Sequence, residues 1–171
     1  MWLQTPGTPW RLVGAACQGG VPPRTVAEIG ASVRESAVAA LPPLRAGVQP
    51  AGAALAGLPA LFRTGQPARG IRGADLSVLG FSIRLDSRVR WHWTYGDGTD
   101  AWTSSPGGRW PDTSVAHTFR RPGTVTAAVT AVWRGEYVVD GLGPFAVPGA
   151  PLTQDAALPL EVRPAHAVLV G

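Results

Sequence analysis

Residues 89–95 alternate without a break: Val89, Trp91, Trp93 and Tyr95 fall on one side, Arg88, Arg90, His92 and Thr94 on the other. A period of two is that of a β-strand, and it predicts one aromatic face and one polar face. β-Branched and aromatic side chains fit a half-buried pleated surface, so the aromatic face belongs against a second layer of extended backbone. The run stops at Gly96-Asp97-Gly98. Two glycines permit positive φ and an Asp side chain can accept from nearby amides, so a core strand runs here into a tight turn.

The segment Trp93-Thr94-Tyr95-Gly96-Asp97-Gly98 resembles the W-x-F/Y-G-D-G signature of the polycystic-kidney-disease (PKD) repeat. His117-Thr118-Phe119, followed by Pro122-Gly123-Thr124-Val125-Thr126-Ala127-Ala128-Val129-Thr130, is similar to the second signature of that family. The resemblance spans residues 74–162. It implies an immunoglobulin-like β-sandwich used as a non-catalytic extracellular module. Trp93, Tyr95, Gly96, Asp97, Gly98, His117, Phe119, Pro122 and Gly123 would be its structural signature. A helix-bearing N-terminal part ahead of one PKD domain also resembles the layout of small exported proteins of high-G+C bacteria.

Composition narrows the function classes. The length of 171 residues suits one domain with an appendage. All basic residues are Arg, so the lysine of a phosphate-binding P-loop is missing. The formal charge is +4, and the arginines are scattered, with Arg88/Arg90 and Arg120/Arg121 as the tight pairs. Nucleic-acid binding would need a clustered basic stripe, and is not expected. The single cysteine, Cys17, excludes an internal disulfide and leaves a thiol that is buried, free or paired between chains. Val13-Gly14-Ala15-Ala16-Cys17 is no lipoprotein site, because Pro6, Pro9 and Arg11 interrupt any apolar stretch before it. Neither a signal peptide nor a run of about 18 apolar residues is visible, so no membrane span is expected. The expected location is secreted or on the cell surface.

Along the chain, residues 1–23 read as an irregular arm with a short strand over 10–16. Residues 25–41 read as one amphipathic helix. Thr25 and Glu28 form a capping box, Val26, Ile29, Val33, Ala37 and Leu41 make an apolar stripe, and Pro42-Pro43 stops it. A helix of this length is marginal alone, so its stripe must dock, on the β domain or on another protein. Residues 44–73 read as linker, with a helical turn or extended strap near Leu55–Phe62 and a loop over 63–73. The sandwich is expected over 74–164, with 165–171 as a terminal strand or tail. Its strands fall at 79–85 and 89–95, joined by a turn at Asp86-Ser87; at 115–119; at 125–133, extended by 137–139; and at 160–163 and 167–170. Residues 99–116 read as a long loop and 141–159 as a Pro/Gly-rich crossover.

No constellation for chemistry stands out. Asp97 and Asp100 put two carboxylates on one turn, which could hold calcium, but the further oxygen ligands of a loop site are missing. The alternative is that Asp97 accepts from turn amides. His92, His117 and His166 lack the close spacing of a zinc site. No G-x-S-x-G elbow occurs, and the acidic residues show no paired placement. No catalytic residue, cofactor or metal is therefore expected. Seven tryptophans are many for this length. Trp91, Trp93 and Trp133 sit at core-facing positions, whereas Trp102 and Trp110 sit in the long loop beside Arg109. There they either cap the sandwich or contact a partner. The expectation is a non-enzymatic surface module for a protein or cell-envelope partner. The alternatives are a structural subunit of a pilus or fibre, and a carbohydrate binder using Trp102 and Trp110.

Overall fold

The protein's structure, a computed structural model, describes residues 2–3, 11–12 and 25–165. Cys17, His166, the strand expected at 167–170 and most of the N-terminal arm lie outside the described residues. Strands β1 (Trp2–Leu3) and β2 (Arg11–Leu12) pair antiparallel.

Helix α1 (Val26–Ala40) begins where the sequence predicts. The Thr25 hydroxyl accepts from the Glu28 amide at 3.2 Å, and the Glu28 carboxylate accepts from the Thr25 amide at 2.8 Å. Two helix-start donors are thereby satisfied at once. Leu41 turns to extended backbone ahead of Pro42, which cannot prolong the helix.

Ten strands follow: β3 (Gly47–Gln49), β4 (Ala53–Leu55), β5 (Pro59–Arg63), β6 (Ala74–Val78), β7 (Phe81–Thr94), β8 (Asp100–Thr103), β9 (Ala116–Thr118), β10 (Gly123–Val139), β11 (Leu142–Ala146) and β12 (Leu152–Arg163). The first sheet runs β4-β12-β10-β7-β6, with β8 added to β7 and β11 to β10. The second runs β3-β5-β9. Within the first, β4 lies parallel to β12 and the other pairs are antiparallel.

The two long strands set the architecture. At roughly 3.3 Å per residue, β10 is on the order of 50 Å long, which is more than a three-stranded sheet can cover. Two covers share the inner face. Phe62 of β5 and Val48 of β3 pack on Trp91, Trp93, Tyr95, Val129, Ala131 and Trp133. At the other end, Val33 and Ala37 of α1 pack on Ile83, Leu85, Val78 and Tyr137. The helix stripe therefore docks on the chain's own sheet. Burying each indole contributes about 3 kcal/mol or more, at ~25 cal/mol per Å² of apolar surface.

Where the two covers meet, Trp91 and Trp133 aim their indole N–H groups at amides. Trp91 donates to Gln66 Oε1 at 2.8 Å and Trp133 to Gln154 Oε1 at 3.2 Å. Gln66 Nε2 donates in turn to Gln154 Oε1 and to the Pro42 carbonyl, at 2.8 and 2.9 Å. A buried polar group costs stability unless it is partnered, and this cluster partners both indoles while tying the helix exit to both strands.

Four readings of the sequence need correction. Asp86-Ser87 is no turn: β7 runs straight through it, and the two-residue turn lies at Leu79-Gly80, with φ of 53° and 87°. The parity of Ile83, Leu85, Ser87, Val89 and Trp91 never breaks, so one strand suffices. Asp86 and Ser87 serve instead as acceptors where the edge of β7 has no neighbouring strand. Ser87 Oγ accepts from the Ile71 amide at 3.1 Å and Asp86 Oδ1 from the Gly73 amide at 3.1 Å.

Residues 44–63 are not linker, because β3 and β5 build the second sheet and β4 edges the first. The 99–116 loop contains β8, paired on Trp91–Thr94. The 141–159 crossover contains β11 and residues 152–159 of β12. Thr126 of β10 needs a neighbour, and Pro159 supplies its backbone at a point where β12 has a single partner strand, as proline requires.

Candidate functional site

The end of β7 forms a brace between the sheets. Tyr95 closes the turn by donating its amide to the Thr99 carbonyl at 3.0 Å. Gly96 has φ of 78°, and a Cβ there would stand 2.5 Å from the Thr126 carbonyl oxygen, so a side chain is excluded. Both oxygens of Asp97 are engaged. Oδ1 accepts from the Thr99 amide at 3.1 Å and hydroxyl at 2.6 Å, and Oδ2 meets His117 Nε2 at 2.8 Å. His117, on β9, lies flat on the Tyr95 ring, and the Phe119 ring stands edge-on to it with centroids 4.7 Å apart. Pro122 and Gly123 make the turn into β10, and Trp93 is buried against Phe62.

The electrostatics follow from these contacts. Partial burial would raise the Asp97 carboxyl, but the Thr99 hydroxyl, His117 and the Thr99 amide outweigh it and hold it below the usual carboxylate range. Burial pushes the Tyr95 phenol up, with the nearby Asp97 and Asp100 charges adding to it. Asp100 is committed elsewhere: its Oδ2 meets His92 Nε2 at 2.9 Å. The two carboxylates on this turn thus go to different histidines. Among the described residues, no group of three or more His, Cys, Asp or Glu side chains could hold a metal ion.

The two loop tryptophans face outward. Trp102 of β8 lies opposite His92 of β7, with rings stacked at 4.7 Å and 14°. Arg90 Cζ sits 5.4 Å from the Trp102 ring centroid, and half of Trp102 stays open to solvent. Trp110 is 70% exposed on the loop between β8 and β9, beside exposed Arg109. Its amide donates to Gln49 Oε1 at 3.0 Å, and the Ser114 amide donates to Asp112 Oδ1 at 2.8 Å, so the loop backbone is tied to β3 at Trp110 and turned locally at Asp112. Trp102 belongs to the first sheet, whereas Trp110 is tied to β3 of the second. They do not share one strand.

Two features escaped the sequence reading. The Gln66–Gln154 cluster could have been sought from the need of two inward indoles for acceptors. The Arg90–His92–Trp102 stack depends on the register of β8, which no local pattern encodes.

The brace carries both signature motifs on adjoining elements, and the sequence comparison coincides with it. Residues 61–132 match the PKD domain family. The PKD match runs from β5 to the middle of β10 and includes the brace, Trp102 and Trp110. The chain is also similar to the solution structure of the PKD domain from human VPS10 domain-containing receptor SorCS2, with a TM-score of 0.41 and 16% identity, over 75% of this chain and 78% of that one. No curated protein matches the chain. The fold is mainly β, with one helix in the described residues, and the PKD match falls within its two sheets. PKD domains are typically extracellular, non-catalytic modules that often mediate protein interactions. Among the described residues, no helix is long and apolar enough to cross a membrane.

Proposed function

We propose that this chain is a non-enzymatic, secreted or cell-surface PKD-type module that binds a protein or cell-envelope partner. Contact falls on the loop after β8, through Trp110 and Arg109, with Trp102 as a second exposed aromatic. The observation that carries this reading is Trp110: a 70% exposed indole on a backbone held by Gln49. An aromatic presented by a pre-ordered loop loses little entropy on binding, and tryptophan and arginine are enriched among interface anchors. Affinity capture from the native cell envelope with wild-type and Trp110→Ala protein tests it. The partner is expected with wild type and lost with Trp110→Ala at unchanged thermal stability. Equal recovery with both would overturn the reading.

A second reading, a subunit of a surface assembly, is favoured by β11. That strand pairs with β10 alone among the described residues and exposes Leu142 and Phe145. An open apolar edge can accept a strand of a neighbouring copy. Light scattering showing a strict monomer at high concentration would remove it. Carbohydrate binding by Trp102 and Trp110 as a pair has less support, since their backbones attach to different sheets.

A further inference from the structure

We propose that the outer face of the first sheet binds an acidic polysaccharide through Arg88, Arg90 and Arg134, with Trp102 as its stacking surface. This goes beyond the Trp110 reading and shares only Trp102 with it. Arg88 of β7 lies directly opposite Arg134 of β10 in the strand register. Like charges facing each other across a strand pair destabilise a sheet. None of the three arginines makes an ion pair among the described residues, where the ion pairs are His92–Asp100, His117–Asp97 and Arg163–Glu161. All three side chains are exposed.

They line one depression together with Trp102 and Val132. Asp86 and Glu136 also border it, opposite each other two positions along the strands, while Arg72 and Arg34 add cations there, Arg34 being bonded to the Pro148 and Ala150 carbonyls. The depression keeps a surplus of cations over carboxylates, which fits an anionic partner. The guanidinium fork takes a carboxylate with two parallel hydrogen bonds.

The row also argues for a repeating chain rather than a folded partner. Outer positions two apart on one strand are separated by about 7 Å, and directly opposed ones by about 5 Å. Arg88, Arg90 and Arg134 thus form a compact corner of charge that successive carboxylates of one linear chain can span. Arg90 sits over the indole of Trp102 and His92 stacks on it; the half of that indole left open to solvent lies beside the charges, where the apolar C–H face of a sugar ring can pack.

The test is affinity electrophoresis and calorimetry on the intact chain with polygalacturonate, neutral dextran and duplex DNA. Polygalacturonate is expected to retard the protein, and dextran is not. Replacing both Arg88→Ser and Arg134→Ser should weaken binding at least about tenfold, and Trp102→Ala by several-fold at constant charge. Arg120→Ser with Arg121→Ser should leave it unchanged, as should Trp110→Ala, which separates this surface from the partner loop. Circular dichroism checks that each variant is folded. No retardation by polygalacturonate would overturn the proposal. So would equal weakening in the Arg120/Arg121 control, or DNA binding as tight as polygalacturonate and insensitive to Trp102→Ala.

Discussion

The imidazole of His117 lies on the phenol ring of Tyr95, with centroids 3.9 Å apart and planes 6° from parallel. Tyr95 directly follows the first sheet's main strand and His117 belongs to the second sheet, so the stack pins the layers together at one end. Asp97 holds the imidazole in that plane through its second nitrogen-facing oxygen, while its first oxygen closes the turn on Thr99.

Replacing either partner of the Asp97–His117 contact is expected to destabilise the fold. A hydrogen bond to a charged group contributes about 1.5–3 kcal/mol. Urea unfolding of His117→Gln and Asp97→Asn should show losses in that range. The double variant should lose less than the sum, because each single change already breaks the shared contact. Additive losses would refute the coupling.

The same carboxylate predicts a response to acid. Its pKa is lower folded than the ordinary value of about 3.9 for a free aspartate. A depressed folded pKa contributes stability above the unfolded value, and that contribution is lost as pH falls through the folded one. The gap in thermal midpoint between wild type and Asp97→Asn should shrink as pH falls below about 4. A gap that widens in acid would contradict the assignment.

Gly96 and Gly98 should respond differently to alanine. Both have positive φ, which costs a side chain roughly 1–2 kcal/mol. A Cβ on Gly98 meets open space, so Gly98→Ala is expected to cost only that strain. Gly96→Ala must also displace the Thr126 backbone, and should cost clearly more. Equal unfolding midpoints for the two variants would show that the turn yields more easily than its packing implies.

Gln66→Ala should be among the more damaging polar substitutions. It leaves the buried Trp91 N–H without an acceptor and opens the Gln154 cluster. A stranded buried donor costs about 1–3 kcal/mol. Denaturant unfolding measures the loss, and a change in Trp91 fluorescence should accompany it. A loss within error would mean the amides contribute nothing net.

Val33 tests the docked helix. It is fully buried between α1 and the strands, and Val33→Ala removes two methyl groups at ~0.8 kcal/mol each plus the cavity left behind. Val33→Asp should release the helix from Ile83 and Leu85 while the Trp-lined half of the sandwich persists, read as retained near-ultraviolet signal with lost helical signal. Cooperative loss of both signals would show that the two covers fold as one unit.

Much of this molecule is local and therefore legible in the residues. Thr25 and Glu28 three apart with apolar residues at helical spacing suffice for α1, because capping and periodicity act within a turn or two. The alternation from Val89 to Tyr95 declares a strand and its buried face, since backbone geometry alone points successive side chains to opposite sides. What tertiary structure decided is pairing. Asp86-Ser87 looks like a turn until a loop from residues 71–73 comes to rest against it. The Gly/Pro/Ala stretch of 44–63 looks like linker until its backbone completes a sheet. Trp102 and Trp110 look alike until β8 pairs with β7 and Gln49 claims the other. Hydrogen-bond partners and register depend on which edges remain open after distant segments meet, and no short window of sequence contains that information.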